Sequence, residues 1–347
     1  MSFLIPALSD LDDEMLRARL RHVLDNKTKP VGSLGVLEHL AERLGLILGS
    51  DAPELREPQL VVFAADHGLT AHGVSAFPGD VTRQMVENFL SGGAAVSVLA
   101  RLHGVALTVA DCGVRGEFAA RAGLRDLKIA PGTADALNGP AMTEAQRDAA
   151  LANGQALVAS LPGNVLLLGE MGIGNTSAAA LLLARLTGQD VADCAGAGTG
   201  LDPAGLAHKV AVLRQVLARH ESAIAPLDAL AALGGFEIAT MVGAVLQAAA
   251  ENRVIVVDGF ITGAAVLVAS RLAPRVLQRC VHAHRSAERG HGLMLAALGG
   301  DPLLDWHLRL GEGSGAALAW PLMQSACAIL RDMASFDDAG VSRETQH

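Results

Sequence analysis

Two glutamates lie between glycines, where their carboxylates are suited to acid–base chemistry. Glu170 belongs to the stretch GEMGIGNTSAAA (169–180), and Glu312 belongs to RLGEGSGAALA (309–319). Glycine turns usually carry Asp, Asn or Ser, so a glutamate there is unusual. Apolar walls around a carboxylate raise its pKa, which suits a general base near neutral pH. The alternative for Glu312 is structural: its carboxylate caps the N–H groups of a nearby helix.

A glycine loop beside Glu170 has the features of an anion-binding site. Gly172, Ile173 and Gly174 follow the apolar run 164–168 and lead into a helix that we predict to begin at Asn175 or Thr176. Backbone amides in such a loop, with the partial positive charge of a helix N-terminus, favour a phosphate. The loop is neither a Walker A loop nor a complete dinucleotide fingerprint. A plain turn before a buried helix therefore remains an alternative.

A second loop of this kind is GAGTGLD (196–202), which contains Gly198, Thr199 and Gly200. The helix after it carries Lys209 about two turns from its start, within reach of a phosphate bound between the loops. The alternative for Lys209 is a solvated helix face.

Histidines raise the question of a metal site. His282 and His284 would share one face of a strand, with His291 beyond, and His67 and His72 lie close together in the chain. No third ligand at a compelling spacing accompanies either group, so hydrogen-bonding histidines explain the pattern as well as zinc does. We predict no metal.

Six short, mostly apolar runs alternate with helical patterns, which predicts an α/β fold with a doubly wound, mainly parallel six-stranded sheet and helices on both faces. Most of these runs end in an acidic or small residue followed by glycine. In open α/β sheets the ligand crevice lies at the carboxyl ends of the strands, so these ends should converge on one site. The runs are LVVFAAD (60–66), VALTVAD (105–111), NVLLLG (164–169), VADCAG (191–196), RVIVVDG (253–259) and RCVHAH (279–284).

Both ends of the chain read as helices without strands. We predict a small helical domain from residues 1–30 and 305–347, and a large α/β domain from residues 31–304. Within the large domain, Thr143 with Gln146 forms a capping-box pattern, and Asp202 followed by Pro203 marks a helix start.

Composition excludes several classes of protein. Hydrophobic residues make up 51% of the 347 residues, but no uninterrupted apolar run is long enough for a bilayer span. A net charge of −9 without a basic cluster argues against a nucleic-acid partner. The acidic start lacks the basic region of a secretory signal, and the four cysteines are far apart, so we expect a cytoplasmic protein without disulfides.

Seven stretches together resemble the nicotinate-nucleotide:dimethylbenzimidazole phosphoribosyltransferases, which make the lower-ligand nucleotide of cobalamin. Many motifs in one order, between residues 26 and 320, are more specific than any single glycine loop. The stretches are KPVGSLGVLE (29–38), ADHGLTAHGVSAFPGDVTRQMVENFLSGGAAVSVLAR (65–101), GEMGIGNTSAAA, GAGTGLD, GGFEIATMVGAVLQAAAENRVIVVDGFITGAAVLVA (234–269), AHRSAERGH (283–291) and LGEGSGAALA (310–319).

The resemblance implies a reaction and the residues that perform it. Dimethylbenzimidazole displaces nicotinate from nicotinate mononucleotide, giving α-ribazole 5′-phosphate, without metal or redox cofactor. Glu312 matches the general base of the family, Glu170 a second active-site carboxylate, and Lys209 the lysine near the ribose phosphate. The loops would hold the phosphate and ribose through Gly172, Ile173, Gly174, Asn175, Thr176, Gly198, Thr199 and Gly200.

The resemblance also implies a homodimer and a pocket for the base. Phe77 and Met85 would form apolar walls, Gln84 a polar contact, and Met171 is assigned to the same pocket. The sequence contains no tyrosine, and Phe77 stands where relatives often carry one, which leaves the preferred base open.

Two other functions fit parts of the pattern. A nicotinamide-dependent oxidoreductase would use the same sheet topology, although the glycine fingerprint is incomplete. A non-catalytic nucleotide-binding protein would use the loops but would not need Glu312.

Overall fold

Six parallel strands form one sheet in the computed structural model, which describes residues 3–198 and 200–342. Their order, β3-β2-β1-β4-β5-β6, is that of a doubly wound sheet, so the predicted fold class is confirmed. The chain changes direction across the sheet between β1 and β4, where such folds bind ligands. The strands are β1 (Gln59–Ala65), β2 (Ala106–Gly113), β3 (Leu124–Asp126), β4 (Val165–Met171), β5 (Val254–Val257) and β6 (Cys280–His282).

The central strand β1 is buried on both faces. Val61 and Phe63 join one hydrophobic cluster, whereas Leu60 and Val62 join the other. This alternation follows from the two-residue period of a strand. A continuous apolar sequence is the expected signature of a parallel strand covered by helices on both sides.

Helices cover both faces of this sheet and form the terminal regions. The helices are α1 (Glu14–Asp25), α2 (Val36–Leu48), α3 (Asp80–Leu90), α4 (Ala95–His103), α5 (Glu144–Ser160), α6 (Asn175–Thr187), α7 (Val191–Cys194), α8 (Pro203–Arg219), α9 (Pro226–Leu233), α10 (Phe236–Ala250), α11 (Phe260–Leu272), α12 (His291–Leu298), α13 (Ser314–Asp332) and α14 (Phe336–Ala339). Two 3₁₀ helices span Gly68–His72 and Pro274–Arg279.

One predicted strand is wrong and one strand was missed. Residues 191–196 form the short helix α7 and a loop, because Asp190 caps the Ala192 N–H and because Ala, Asp and Gly disfavour strands. The missed strand, β3, is three residues long at the sheet edge, and its half-exposed Leu-Arg-Asp sequence carries no apolar run.

Helix starts agree well with the sequence signals. Thr143 and Gln146 form the predicted capping box of α5, and Asp202 caps α8, which begins at Pro203. Helix α6 begins at Asn175, one of the two predicted positions. Its N-cap is Gly174 with φ +96°, a backbone conformation that favours glycine.

The terminal helices α1, α2 and α13 share one hydrophobic cluster, which includes Leu20, Leu44 and Trp320. Pro321 lies inside α13. Helix α2 falls within the predicted large domain but packs on α1 and α13; the division into two domains stays a prediction. In the part of the chain that the structure describes, no helix is both long and apolar enough to cross a membrane.

Candidate active site

A cavity of about 290 Å³ opens at the carboxyl ends of β4 and β5 and beside the turn before α13. Its walls include both predicted catalytic glutamates and parts of both glycine loops. A larger cavity of about 540 Å³ lies between α1, α2 and β6 and contains none of the predicted site residues. The chemistry therefore belongs to the smaller cavity, lined by Phe77, Glu170, Met171, Gly172, Ile173, Asn175, Thr176, Gly198, Asp258, Gly259, Phe260, Ile261, Thr262, His284, Ser286, Glu288, Arg309, Leu310, Gly311 and Glu312.

Glu170 and Glu312 meet across this cavity although 142 residues separate them. The Glu312 N–H donates to Glu170 Oε1 over 3.4 Å. Both residues are buried, with 6% and 5% of their surface exposed. A Cβ atom on Gly311 would lie 2.1 Å from Glu170 Oε1, so a larger residue there would displace this carboxylate. Glu312 itself has φ +67°, an uncommon conformation for a side chain of this size.

The pKa values of the two glutamates are raised. Burial, with the nearby charge of Asp258, raises the pKa of Glu170 to about 8. Burial also raises the pKa of Glu312 to about 7, against the lowering effect of a hydrogen bond from the Val96 N–H in the first turn of α4. Glu312 therefore exchanges a proton near neutral pH, as a general base requires. Glu170 is mainly protonated at pH 7 before a cationic substrate enters.

The cap expected as an alternative role for Glu312 is supplied by Asp258, which the site prediction missed. Its Oδ1 accepts from the Ala316 N–H (2.9 Å) and its Oδ2 from the Gly313 N–H (3.3 Å). Asp258 thereby anchors the start of α13, immediately after Glu312. The signal was available, because Asp258 followed by glycine ends β5 in the same way as the other strand ends.

Lys209 is fully buried and joins the two glycine loops, so the solvent-exposed alternative is wrong. Its Nζ donates to Thr176 Oγ1 (2.9 Å) and to the carbonyl of Gly196 (3.2 Å). Burial lowers its pKa to about 8, and the charge of Glu288 opposes this shift. Since Thr176 lines the cavity, the ammonium lies directly behind the cavity wall.

The first glycine loop packs against the end of β1 and the start of α3. A Cβ on Gly172 would lie 2.5 Å from the Ala65 carbonyl, and the Ile173 N–H donates to Thr82 Oγ1 over 3.1 Å. That amide is therefore occupied within the protein, although Ile173 is part of the cavity wall. Asn175 Nδ2 donates to Glu170 Oε2, so Asn175 orients a carboxylate.

The second loop is described only in part. Gly198 lines the cavity, and Gly200 is exposed with φ +115°. Thr199, predicted to hold the phosphate, lies outside the described residues.

The residues predicted for the base pocket separate into two groups. Phe77 and Met171 line the cavity, and Phe77 is half exposed at its mouth. Gln84 is exposed and Met85 packs against the hydrophobic core, so neither contributes to the cavity wall. The sequence did not reveal which face of α3 points to the site; it is the face of Thr82, which supports the glycine loop.

The histidines contact carboxylates, a backbone amide or one another, and the ring centroids of His284 and His291 are 6.1 Å apart. His67 contacts Glu237, His72 contacts Asp135, and His284 lies 3.8 Å from Asp258. His291 Nδ1 accepts from the Ser286 N–H. Among the residues that the structure describes, no three of His, Cys, Asp or Glu form a group that could hold a metal ion.

Comparison with known proteins agrees with this geometry. A family model described as phosphoribosyltransferase (DBI_PRT) matches residues 10–341. The chain belongs to this phosphoribosyltransferase family. It is 68% identical to the nicotinate-nucleotide–dimethylbenzimidazole phosphoribosyltransferase of Variovorax paradoxus, covering 98% of this chain and 97% of the relative. The enzyme of the same name from Cupriavidus necator is 57% identical, with 97% and 98% covered.

Solved structures of the phosphoribosyltransferase family have the same fold. The crystal structure of CobT from Thermus thermophilus matches with a TM-score of 0.91 at 43% identity, covering 95% of this chain and all of that one. A second structure from that organism, titled as a nicotinate-nucleotide–dimethylbenzimidazole phosphoribosyltransferase, matches at 42% identity and the same TM-score, covering 96% and 100%. The family resemblance predicted from the sequence is confirmed, and it favours glycosyl transfer over the oxidoreductase alternative.

Proposed function

We propose that this protein transfers the ribose 5-phosphate of nicotinate mononucleotide to 5,6-dimethylbenzimidazole, giving α-ribazole 5′-phosphate and nicotinate. The names of its relatives support this reaction, since they match over nearly the whole chain. The single observation that carries the mechanism is Glu312 Oε2, a buried oxygen on the cavity wall without a hydrogen-bond partner in the described structure. A buried, unpartnered carboxylate oxygen is costly unless a ligand uses it.

Glu312 acts as the general base. One nitrogen of the benzimidazole forms the new bond to the anomeric carbon, and Glu312 accepts the proton of the other nitrogen. The bond to nicotinate breaks, and its electron pair neutralises the cationic pyridinium nitrogen. The leaving group therefore needs no general acid.

Glu170 and Asp258 stabilise the positive charge that develops on the ribose. Both lie in the cavity with Glu312, and burial raises the pKa of each carboxyl. A cationic sugar favours their ionised forms, because charges interact strongly in a site that excludes water. The negative charge is thus greatest when the oxocarbenium-like transition state forms.

The two glycine loops and Lys209 bind the 5′-phosphate. Lys209 holds the loops together through Thr176, and a phosphate beside Thr176 would attract its ammonium. The start of α6 adds the partial positive charge of a helix N-terminus. With the phosphate fixed there, attack opposite nicotinate inverts the anomeric carbon from β to α.

One assay tests the reaction. Purified protein is mixed with nicotinate mononucleotide and dimethylbenzimidazole, and nicotinate and the ribosylated base are measured by chromatography. We expect both products in equal amounts. Nicotinate without the ribosylated base would indicate hydrolysis, and no release of nicotinate would reject the proposal.

A homodimer and a cytoplasmic location also remain proposals. The dimer rests on the family resemblance, and exposed apolar side chains such as Val98 and Leu102, one turn apart on α4, are compatible with an interface. Sedimentation of the purified protein distinguishes a dimer from a monomer. The proposed location rests on four buried, unpaired cysteines.

A further inference from the structure

A buried histidine–glutamate pair lies behind the first glycine loop and takes no part in the mechanism above. His67 Nε2 lies 2.7 Å from Glu237 Oε1, and the two side chains are 4% and 0% exposed. His67 follows β1, while Glu237 lies in the first turn of α10. Neither residue lines the cavity. Burying such a pair costs solvation free energy, so its presence at the edge of a site points to a specific task.

His67 packs directly against the loop that begins α6. A Cβ atom built on Gly174 would lie 3.4 Å from His67 Cβ and 2.6 Å from Thr70 Cγ2. Thr70 Oγ1 in turn donates to the His67 carbonyl over 2.7 Å. The left-handed turn at Gly174 is thus seated on His67 and Thr70, and the next residue, Asn175, donates to Glu170.

The far side of the pair is equally constrained. A Cβ on Gly235, the N-cap of α10, would lie 2.4 Å from His67 Cε1 and 2.5 Å from Glu237 Oε2. The imidazole is therefore enclosed between the ends of two helices, α6 and α10. A shift of His67 would move the loop or require the start of α10 to give way.

We propose that His67 and Glu237 are positioning residues that fix the loop 172–174, and through Asn175 the carboxylate of Glu170, for binding of nicotinate mononucleotide. This inference rests on the proposed function of the cavity. The pair acts through the backbone at Gly174, without touching the substrate.

The charges around the pair support a stable ion pair. Burial lowers the pKa of His67, but the charge and hydrogen bond of Glu237 outweigh it and raise the pKa, with Asp66 adding to the rise and Arg115 opposing it. Glu237 in turn faces Glu170 and the thiol of Cys112, whose pKa values it raises. Pairing with His67 therefore also limits the negative charge that Glu237 directs at Glu170.

The test measures steady-state kinetics of His67→Ala, His67→Gln and Glu237→Gln at saturating concentrations of each substrate in turn. A displaced loop should raise the KM for nicotinate mononucleotide and lower kcat in His67→Ala, each by roughly tenfold, because small misplacements of a binding group are costly. The KM for dimethylbenzimidazole should change by less than about twofold, since the loop holds the other substrate. His67→Gln, whose amide can donate to Glu237, should recover part of the loss.

A matched control is His72→Ala, which removes the partly exposed pair of Asp135 with His72, the last residue of the 3₁₀ helix that follows His67. Its kinetics should stay within about twofold of the unaltered protein. Equal losses in the control, or an unchanged KM for nicotinate mononucleotide in folded His67→Ala, would overturn the positioning role.

A measurement on the unaltered protein tests the inference even where the variants do not fold. We expect the ¹⁵N resonances of the His67 ring to shift when nicotinate mononucleotide is added and to stay unchanged with dimethylbenzimidazole alone. The inference would be rejected if the chemical shifts of the ring stayed unchanged while calorimetry detected binding of nicotinate mononucleotide. Failure of the proposed function would instead appear as absence of product in the unaltered protein.

Discussion

The carboxylate of Glu42 in the terminal helices and the carboxylates of Glu170 and Glu312 in the cavity have opposite environments. The carboxylate of Glu42 forms ion pairs with Arg17 at 3.0 Å and with Arg21 at 2.9 Å. Burial raises the pKa of Glu42, but the hydrogen bonds from the two arginines outweigh it and lower the pKa. In the cavity, burial raises the pKa of Glu170 and Glu312 to about 8 and 7.

The difference lies in the partners rather than in the burial alone. The side chain of Glu42 is only 14% exposed, and it has two cations beside it. In the described chain, no lysine or arginine forms an ion pair with Glu170, Asp258 or Glu312; the imidazole of His284 lies 3.8 Å from Asp258. The terminal region uses its charges for structure, whereas the cavity keeps negative charge available for a cationic substrate.

The largest expected effect comes from removing the base. Glu312→Gln should lower kcat by about 10² to 10⁴, because the amide cannot accept a proton, while substrate binding is largely kept. Glu42→Gln is the matched control, since it changes an enclosed glutamate far from the cavity, and its kcat should be unaltered. Turnover in Glu312→Gln close to that of the control would exclude Glu312 as the base.

Removal of the buried lysine comes next. Lys209→Met keeps most of the side-chain volume and should weaken binding of nicotinate mononucleotide by about 1.5 to 3 kcal/mol, because a charged hydrogen bond is lost. Lys27→Met is a suitable control, since Lys27 is also buried and donates to the Met333 carbonyl in the terminal region. Calorimetry should find unchanged affinity in the control; equal affinity in both variants would separate Lys209 from phosphate binding.

The pH profile of turnover is expected to reflect the raised pKa of Glu312, about 7. Below that pH the carboxyl is protonated and cannot act as a base, so kcat should fall about tenfold for each pH unit. The residual activity of Glu312→Gln should lack this acidic limb. A limb that persists in the variant would assign it to another group.

The contributions of Glu170 and Glu42 to the free energy of unfolding should depend on pH in opposite ways. The pKa of Glu170 is raised, so its stabilising contribution is complete below the unfolded pKa and is lost as pH rises through about 8. Glu170→Gln should therefore gain in Tm relative to the unaltered protein between pH 6 and pH 9. The pKa of Glu42 is lowered, so Glu42→Gln should lose about 1 to 3 °C at pH 7 and less near pH 3. Parallel pH curves for both variants would remove the contrast.

Local sequence patterns were sufficient for the glycine turns of the site and for the helix starts. The glycines around Glu170 and Glu312 and the caps of α5 and α8 depend on backbone conformation within a few residues, which residue type strongly constrains. The family resemblance then assigned roles to residues whose local pattern was ambiguous.

The features that were missed depend on packing between distant segments. Nothing near Lys209 in the chain indicates that its ammonium is buried beneath Thr176 and Gly196, since a lone lysine on a helix usually faces solvent. The rotation of α3, which directs Thr82 rather than Gln84 to the site, is set by its contacts with β1, β2 and β4. A helix pattern read from sequence predicts an apolar face but not its exact neighbours.

The backbone of Glu312 has a consequence for engineering the protein. Its left-handed conformation, between Gly311 and Gly313, is one that glycine adopts without steric cost. A library screened only for survival at high temperature should therefore enrich Glu312→Gly, which relieves the turn and removes a buried carboxyl at once. Such variants would be more thermostable but nearly inactive, so any thermal screen of this enzyme has to include turnover as a second criterion.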